Sequence, residues 1–461
     1  MKATLKNGLY LLGFSMLVSL MTSCLGNSFS DDTYPLTDAE LISFSLSSDS
    51  VPDLANVVFS IDQQHGGTGY IYNYDSMAYK TVIRDSVVVT YTSGAGTNNV
   101  LNITNGDSIW VSSGDSLNIS KPLTLKVYAL NGATYKLYNV QLNIHQVDPD
   151  SMQYSMIASG LPFLQTEDTK TVVFNDRFLT YSKINVQPST GYNSIVQLYS
   201  SSDAVNWTQE ATSGLPSNVV IKGIQSNGSQ VFAYTDDGEL YVRSDPDADQ
   251  WDLANKPAEI KVKSILGYLN AGSNQPEGLC LVVETGGINT FAFTKDFTQW
   301  DYDSTTPIPD NFPLYDSPSY SYQLMYLQRV LIFGGTSLNG DIQNTVWSTQ
   351  NGLYWAKLTS NVNVFPQLQG ANVVYYNDEF WLINGKTDNG YNKNIYYSVD
   401  GGVTWQIKEE KAQTPKDYSA RYDASLVMDK NNKYFYIIGG KQKAAISEIW
   451  KGFLNKMEFD H

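Results

Sequence analysis

Tyrosine, aspartate, lysine and arginine gather in long polar segments in the last two thirds of this 461-residue chain. Segment 182–194 holds Tyr192, segment 305–321 holds Tyr315 and Tyr320, and segment 335–343 holds Asp341. Segment 386–393 holds Lys386, Asp388 and Tyr391, and segment 413–423 holds Tyr418, Arg421 and Asp423. An aromatic face can stack on a sugar ring or a peptide, while charged groups fix its orientation, and long loops are where such groups are displayed. The ligand-binding candidates are therefore Tyr192, Tyr315, Asp341, Lys386, Asp388, Tyr391, Tyr418 and Arg421.

Other chemistry finds few side chains to carry it. His65, His145 and His461 are the only histidines, far apart in sequence, whereas a metal needs several converging ligands. Cys280 sits inside the apolar run Leu279-Cys280-Leu281-Val282-Val283, which suits a packed free thiol. With Cys24 the only other cysteine, no disulfide framework exists. Phosphate-cradling glycine loops, nucleophile elbows and zinc spacings do not occur. The expectation is no cofactor, no metal and no catalysis. A net charge of −16, without basic runs, argues against nucleic acid or an anionic membrane surface as partner.

The first residues read as an address. Lys2 and Lys6 precede a short apolar stretch, Leu9 to Leu20, too short for a membrane span. Met21-Thr22-Ser23-Cys24 resembles a bacterial lipobox, so 1–24 is expected to be a lipoprotein signal with Cys24 as the lipidated residue. The tether 25–37, with Ser30-Asp31-Asp32, resembles acidic export tags of Bacteroidetes-type surface lipoproteins. The expected product is a monomer on the outer membrane or cell surface, touching the membrane only through lipid.

The elements that must position the candidates are strands. From 38 to 148, runs such as Leu41-Ile42-Ser43-Phe44 and Val87-Val88-Val89-Thr90-Tyr91 alternate with period two, separated by Gly, Asn and Asp. They predict a small antiparallel, Ig-like β-sandwich, with a hairpin turn at Asn131-Gly132. The unit looks like a spacer or docking domain, closed by Asp148-Pro149-Asp150.

From 151 to 461 the chain repeats. Trp207, Trp251, Trp300, Trp355 and Trp405 recur about every 50 residues, the length of one four-stranded propeller blade. Tyr154 stands in the same position, since Ser159-Gly160-Leu161-Pro162 follows it as Ser213-Gly214-Leu215-Pro216 follows Trp207. Apolar hairpins such as Val173-Phe174-Asn175-Asp176-Arg177-Phe178 and Tyr375-Tyr376-Asn377-Asp378-Glu379-Phe380 read as inner strand pairs. The last repeat lacks the strand that follows each Trp, and the segment around Tyr154 can supply it. The fold class is all-β: a sandwich, then a six-bladed β-propeller closed by a strand from about 153–160.

Ser398-x-Asp400-x-Gly402-x-Thr404-Trp405 resembles the Asp-box of sialidases and of many non-enzymatic propellers. Ser348-x-Gln350-x-Gly352-x-Tyr354-Trp355 keeps the spacing without the Asp, and Ser201-x-Asp203 and Thr294-x-Asp296 run one residue short of their Trp. Phe333-Gly334-Gly335 and Ile438-Gly439-Gly440 resemble kelch repeats. Phe59-Ser60-Ile61-Asp62 and Asn143-Ile144-His145-Gln146-Val147-Asp148-Pro149 resemble a family of two-domain gut Bacteroidales lipoproteins with no assigned activity. The sialidase resemblance implies a three-arginine clamp, a Tyr nucleophile with a Glu, and an acidic Asp. Of Arg177, Arg243, Arg329 and Arg421, only Arg421 falls on the loop face. Kelch-type copper chemistry implies histidine ligands, and His461 is terminal. The Asp-box residues are therefore expected to hold a turn together. The favoured reading is a module that binds a glycan or protein ligand, with a sialidase-like glycoside hydrolase as the alternative.

Overall fold

The computed structural model describes residues 37–455, apart from the short segments 65–66, 84–85, 96–98, 107, 120–122, 167, 187–192, 217–218, 247 and 359–361. The signal segment, Cys24, nearly all of the tether, Tyr192, His65 and His461 lie outside the described residues. The chain is all-β and divides into two units, one ending at Pro149 and one beginning at Asp150. No helix among the described residues is long and apolar enough to cross a membrane.

In the first unit a three-stranded sheet (Leu41–Ser47, Ser86–Ser93, Ser116–Asn118) and a six-stranded sheet share one core. The larger sheet runs, in spatial order, Phe59–Asp62, Gly69–Asn73, Tyr135–Gln141, Leu123–Tyr128, Val100–Asn102, Ile109–Val111. Phe44, Val87, Val89 and Tyr91 meet Ile71, Val100, Val127 and Tyr138 between the sheets. In the period-two run Val87 to Tyr91, alternate residues Val87, Val89 and Tyr91 are the buried ones. The expected all-antiparallel pairing is not what forms, because Gly69–Asn73 and Tyr135–Gln141 run parallel. Asn131 builds the turn between Tyr128 and Tyr135 by accepting from the N–H groups of Ala133 (2.9 Å) and Thr134 (2.8 Å).

Among the described residues, the second unit holds six four- or five-stranded antiparallel sheets and one two-stranded ribbon. In chain order the first strands of the sheets are Thr169–Phe174, Ile221–Ser226, Ile260–Leu269, the pair Pro313–Tyr315 with Ser319–Leu324, Asn372–Tyr376 and Ser425–Met428. Each first strand touches the next, and the sixth touches the first. Every neighbouring pair of sheets shares its own apolar cluster. Phe174, Tyr181, Val231 and Trp251 join the first two, and Val427, Tyr436, Phe163 and Phe178 join the sixth to the first. The sixth sheet is completed by Met152–Ser159, which pairs antiparallel with Glu448–Leu454 and leaves Tyr154 opposite Gly452. Asn175-Asp176 and Asn377-Asp378 link first and second strands with both residues at positive φ (47° and 59°; 54° and 62°), the conformation a two-residue hairpin needs.

The Asp-box works as a turn clamp. Asp400 Oδ1 accepts from the N–H groups of Val403 (3.1 Å) and Thr404 (2.9 Å), and Thr404 Oγ1 donates to Oδ2 at 2.6 Å. Trp405 returns its indole N–H to the Gly402 carbonyl at 3.0 Å. Trp207 and Trp355 do the same with Ala204 and Gly352. Four of the five Trp residues have a left-handed residue three positions before them: Ala204, Phe297, Gly352 and Gly402 have φ of 60°, 62°, 78° and 93°. In the fourth sheet the clamp is Thr349 with Asn351, one residue later than the Ser348/Gln350 register expected from spacing. Asn351 Oδ1 takes the N–H groups of Leu353 and Tyr354, so an amide oxygen replaces the carboxylate.

Candidate functional site

The first strands of all six sheets line one cavity of about 1180 Å³. Consecutive residues of those strands, such as Lys170 to Val173 and Lys222 to Ser226, line it. Lys170, Lys222 and Lys261 are each the second residue of their strand, Thr169–Phe174, Ile221–Ser226 and Ile260–Leu269, and all three line the cavity. Lys263 lies further along its strand and pairs with Glu284 at 3.0 Å. Asp236, Asp237, Asp316 and Asp423 line the same cavity. Sequence reading nominated none of these four lysines. The signal was available in the lysine-bearing starts of three successive repeats, but it needed the strand register to be seen.

One side of this cavity gathers part of the expected set. Tyr315 and Asp316 precede a tight turn, and Asp316 Oδ2 accepts from Gln369 Nε2 at 2.7 Å. The Asp316 carbonyl accepts from Gly370 N–H, whose own carbonyl accepts from Asp423 N–H. Gly370 has φ +60°, and a Cβ there would stand 2.5 Å from Asp423 Oδ1, so only glycine lets the two segments meet. Asp423 is flanked by Lys441 (2.9 Å) and Lys170 (3.7 Å). Burial alone would raise the Asp423 carboxyl, but the two ammonium groups outweigh it and hold it below the usual carboxylate range.

Beside Asp423 is an aromatic step. Tyr391 stacks on Tyr422 with ring centroids 6.1 Å apart and planes 19° off parallel. Lys386 and Lys441 sit over the Tyr422 ring at 5.6 and 5.2 Å. The two-stranded ribbon Lys386–Thr387/Gly390–Tyr391 presents Lys386 and Tyr391, with exposed Asp388 at its tip. Gln369 pins the ribbon by exchanging backbone bonds with Lys386. Lys386 and Tyr391 thus come together with Tyr422, Asp423 and Lys441, which the candidate set had omitted, while Tyr315 lies on the cavity wall next to Asp316.

Three candidates sit apart from this cluster. Asp341 caps its own turn in the fourth sheet, its N–H donating to Ser337 Oγ at 3.2 Å. Tyr418 and Arg421 are buried, at 9% and 0% exposure, and bond inward. The Tyr418 hydroxyl donates to Asn384 Oδ1 at 2.7 Å, and burial pushes its pKa up to about 12. Arg421 donates to the carbonyls of Ser419 and Gly439 and to Glu448. Both spend their polar groups on partners inside the protein, which corrects their placement among the ligand-facing residues.

Two of the other three arginines of this unit are engaged elsewhere. Arg177 and Arg243 both donate to the Pro246 carbonyl, and Arg243 also pairs with Glu210 at 2.6 Å. Arg329 opposes Tyr322 in the fourth sheet. Among the described residues no group of three or more His, Cys, Asp and Glu side chains could hold a metal.

Residues 148–461 match a family model described as the DUF6242 beta propeller domain. Residues 33–142 match one described as the N-terminal domain of the same domain of unknown function, DUF6242. No curated protein matches the chain.

Proposed function

The chain belongs to the DUF6242 family, carrying its N-terminal domain and its beta propeller domain, and from that premise we propose a ligand-binding lipoprotein of the bacterial envelope. The ligand is an extracellular glycan or protein, and it docks on the step formed by Tyr391, Tyr422, Lys386 and Lys441 beside Asp423 of the cavity wall. The observation that carries this reading is the Tyr391–Tyr422 stack, half exposed and flanked by two lysines. Stacked phenols offer a flat apolar face, and the ammonium groups beside it offer donors to hydroxyl or carboxylate oxygens.

The second unit is, in this proposal, a six-bladed propeller. Six sheets, cyclic contact between their first strands and the closing strand Met152–Ser159 support it. The first unit is a small Ig-like sandwich with one parallel strand pair added, a reading supported by two sheets around one core. Cys24 carries the lipid that holds a monomer on the outer membrane or cell surface of a Bacteroidales-type bacterium. Lys2, Lys6, the apolar Leu9 to Leu20 stretch and Met21-Thr22-Ser23-Cys24 support this address.

A glycan array probed with the full chain, alongside a pull-down of envelope proteins, tests the reading. Binding should fall about tenfold in a Tyr391→Ala/Lys386→Ala double variant, as for loss of a central anchor. Binding that survives the double variant unchanged would place the ligand elsewhere. Release of sialic acid from a generic sialoside would instead make the protein a hydrolase.

A further inference from the structure

The first unit carries an aromatic platform that its core does not use. On the six-stranded sheet the inward parity is filled by Val100, Val111, Leu125, Val127 and Tyr138, all buried. The outward parity of the same strands bears Trp110, Tyr128 and Tyr135 as one contiguous row. Trp110 and Tyr128 have ring centroids 5.7 Å apart, and Tyr128 and Tyr135 are 6.0 Å apart. Trp110 is 60% exposed and Tyr135 51% exposed, a display of apolar ring that water disfavours unless something covers it.

Lys126 rises between the rings, with its ammonium 3.7 Å from the centroid of Tyr135 and 4.8 Å from that of Tyr128. It is the only charged residue facing outward from the four strands at this end of the sheet. Its outward neighbours are Leu101, Leu137, Thr124 and Asn139. A lone cation on a chain of net charge −16 selects for an anionic partner at this one place.

We infer that this platform binds a carboxylate-bearing polysaccharide. The pyranose faces stack on Trp110 and Tyr135, and a uronate carboxylate pairs with Lys126. The ring planes are tilted, by 41° between Trp110 and Tyr128 and by 57° between Tyr128 and Tyr135. Such a staircase follows a single twisted chain and does not match a flat crystalline surface. Thr124 donates to Asn139 Oδ1 at 3.2 Å, and the two extend the row with hydroxyl and amide groups whose remaining donors and acceptors can meet sugar hydroxyls. This site lies wholly in the first unit and does not rest on the loop-face reading of the second.

Affinity electrophoresis of the full chain through gels containing polygalacturonate, alginate or neutral hydroxyethylcellulose tests it. The uronate polymers should retard the protein, more strongly at low salt, and the neutral glucan should retard it less. Trp110→Ala should weaken retardation about tenfold, and Lys126→Gln should bring the uronate polymers down to the neutral level. Tyr135→Ala gives a second, independent loss should Trp110→Ala disturb its edge strand. Tyr354→Ala, an exposed ring on the other unit, should leave retardation intact. Retardation unchanged in Trp110→Ala and Tyr135→Ala overturns the inference, as does a wild-type chain that no uronate polymer retards. Sedimentation showing a dimer that Trp110→Ala dissociates would overturn it too, by giving the platform to a second copy.

Discussion

Arg421 Nη2 lies 2.7 Å from Glu448 Oε2, the oxygen that also accepts the indole N–H of Trp450 at 2.9 Å. The pair ties the segment before the sixth sheet's first strand to its third strand, Glu448–Leu454. Arg421→Ala strands the carboxylate and the Gly439 carbonyl together. Glu448 is 29% exposed, so the cost belongs at the lower end for a broken buried pair, about 3 kcal/mol. Arg421→Lys should recover little, because one ammonium cannot reproduce a fork aimed at three acceptors. Urea unfolding measures both, and a loss below about 1 kcal/mol for the alanine would show the pair contributes no more than a surface bridge.

Asp400 makes a second clamp whose worth can be read directly. Asp400→Ala removes its bonds to Val403 and Thr404 and leaves Ser398 Oγ without its carboxylate partner. The expected loss is about 1–2 kcal/mol, as for deletion of a side-chain cap on free backbone N–H groups. Ligand binding at the loop face should be unchanged by it. A variant that lost binding while keeping its urea midpoint would give the Asp-box a functional role.

Acid should weaken this protein through its turn aspartates. The Thr305 and Thr306 hydroxyls hold Asp303 down to about 2, from an ordinary 3.8. Backbone N–H groups of Asn206 and Val205 lower Asp203, and Thr298 lowers Asp296 by hydroxyl and N–H. Since the folded pKa values are depressed, the unfolded chain takes up protons first as pH falls. The stabilisation is complete above about pH 4 and disappears as pH drops through about 2. Urea midpoints measured from pH 6 to about 2 should hold and then fall across that window. A Thr305→Ala/Thr306→Ala variant should show a shallower fall, and an unchanged profile would exclude Asp303 as a contributor.

Cys280 should be silent until the protein unfolds. Burial pushes its thiol up to about 12, and the side chain has no solvent exposure. A thiol reagent at pH 8 should label the native chain orders of magnitude more slowly than the urea-unfolded chain. Gly352 shields the same spot: a Cβ there would stand 2.5 Å from Phe293 and 3.2 Å from the Cys280 sulfur, at φ +78°. Gly352→Ala should lower the urea midpoint and speed labelling. Native labelling as fast as in the unfolded state would mean the third and fourth sheets separate readily.

The strand order was legible because local signals agree with one another. Two-residue Asn-Asp turns and a Trp after each polar turn depend on neighbours within a few positions. Even the closing role of the segment at Tyr154 follows from its likeness to the segment at Trp207. Depth was not legible. Nothing near Arg421 in sequence marks it as buried, since its carboxylate partner is 27 positions away. The fourth-sheet clamp was misplaced by one residue because Asn351 and Thr349 do the work expected of Asp and Ser. The parallel strand pair in the first unit escaped for a related reason, since period-two alternation sets which face is buried but not which strand lies alongside.

The closing strand also orders events in time. Ser151 meets Asn455 across 304 positions, and Leu161 meets Ser447 across 286. Those contacts cannot form until residues 447–455 have left the ribosome. Their loop-closure cost puts the last sheet among the late steps of folding. Until then Met152–Ser159 lacks the strand it pairs with and presents unpaired edges, and the arrival of Glu448–Leu454 completes the sheet.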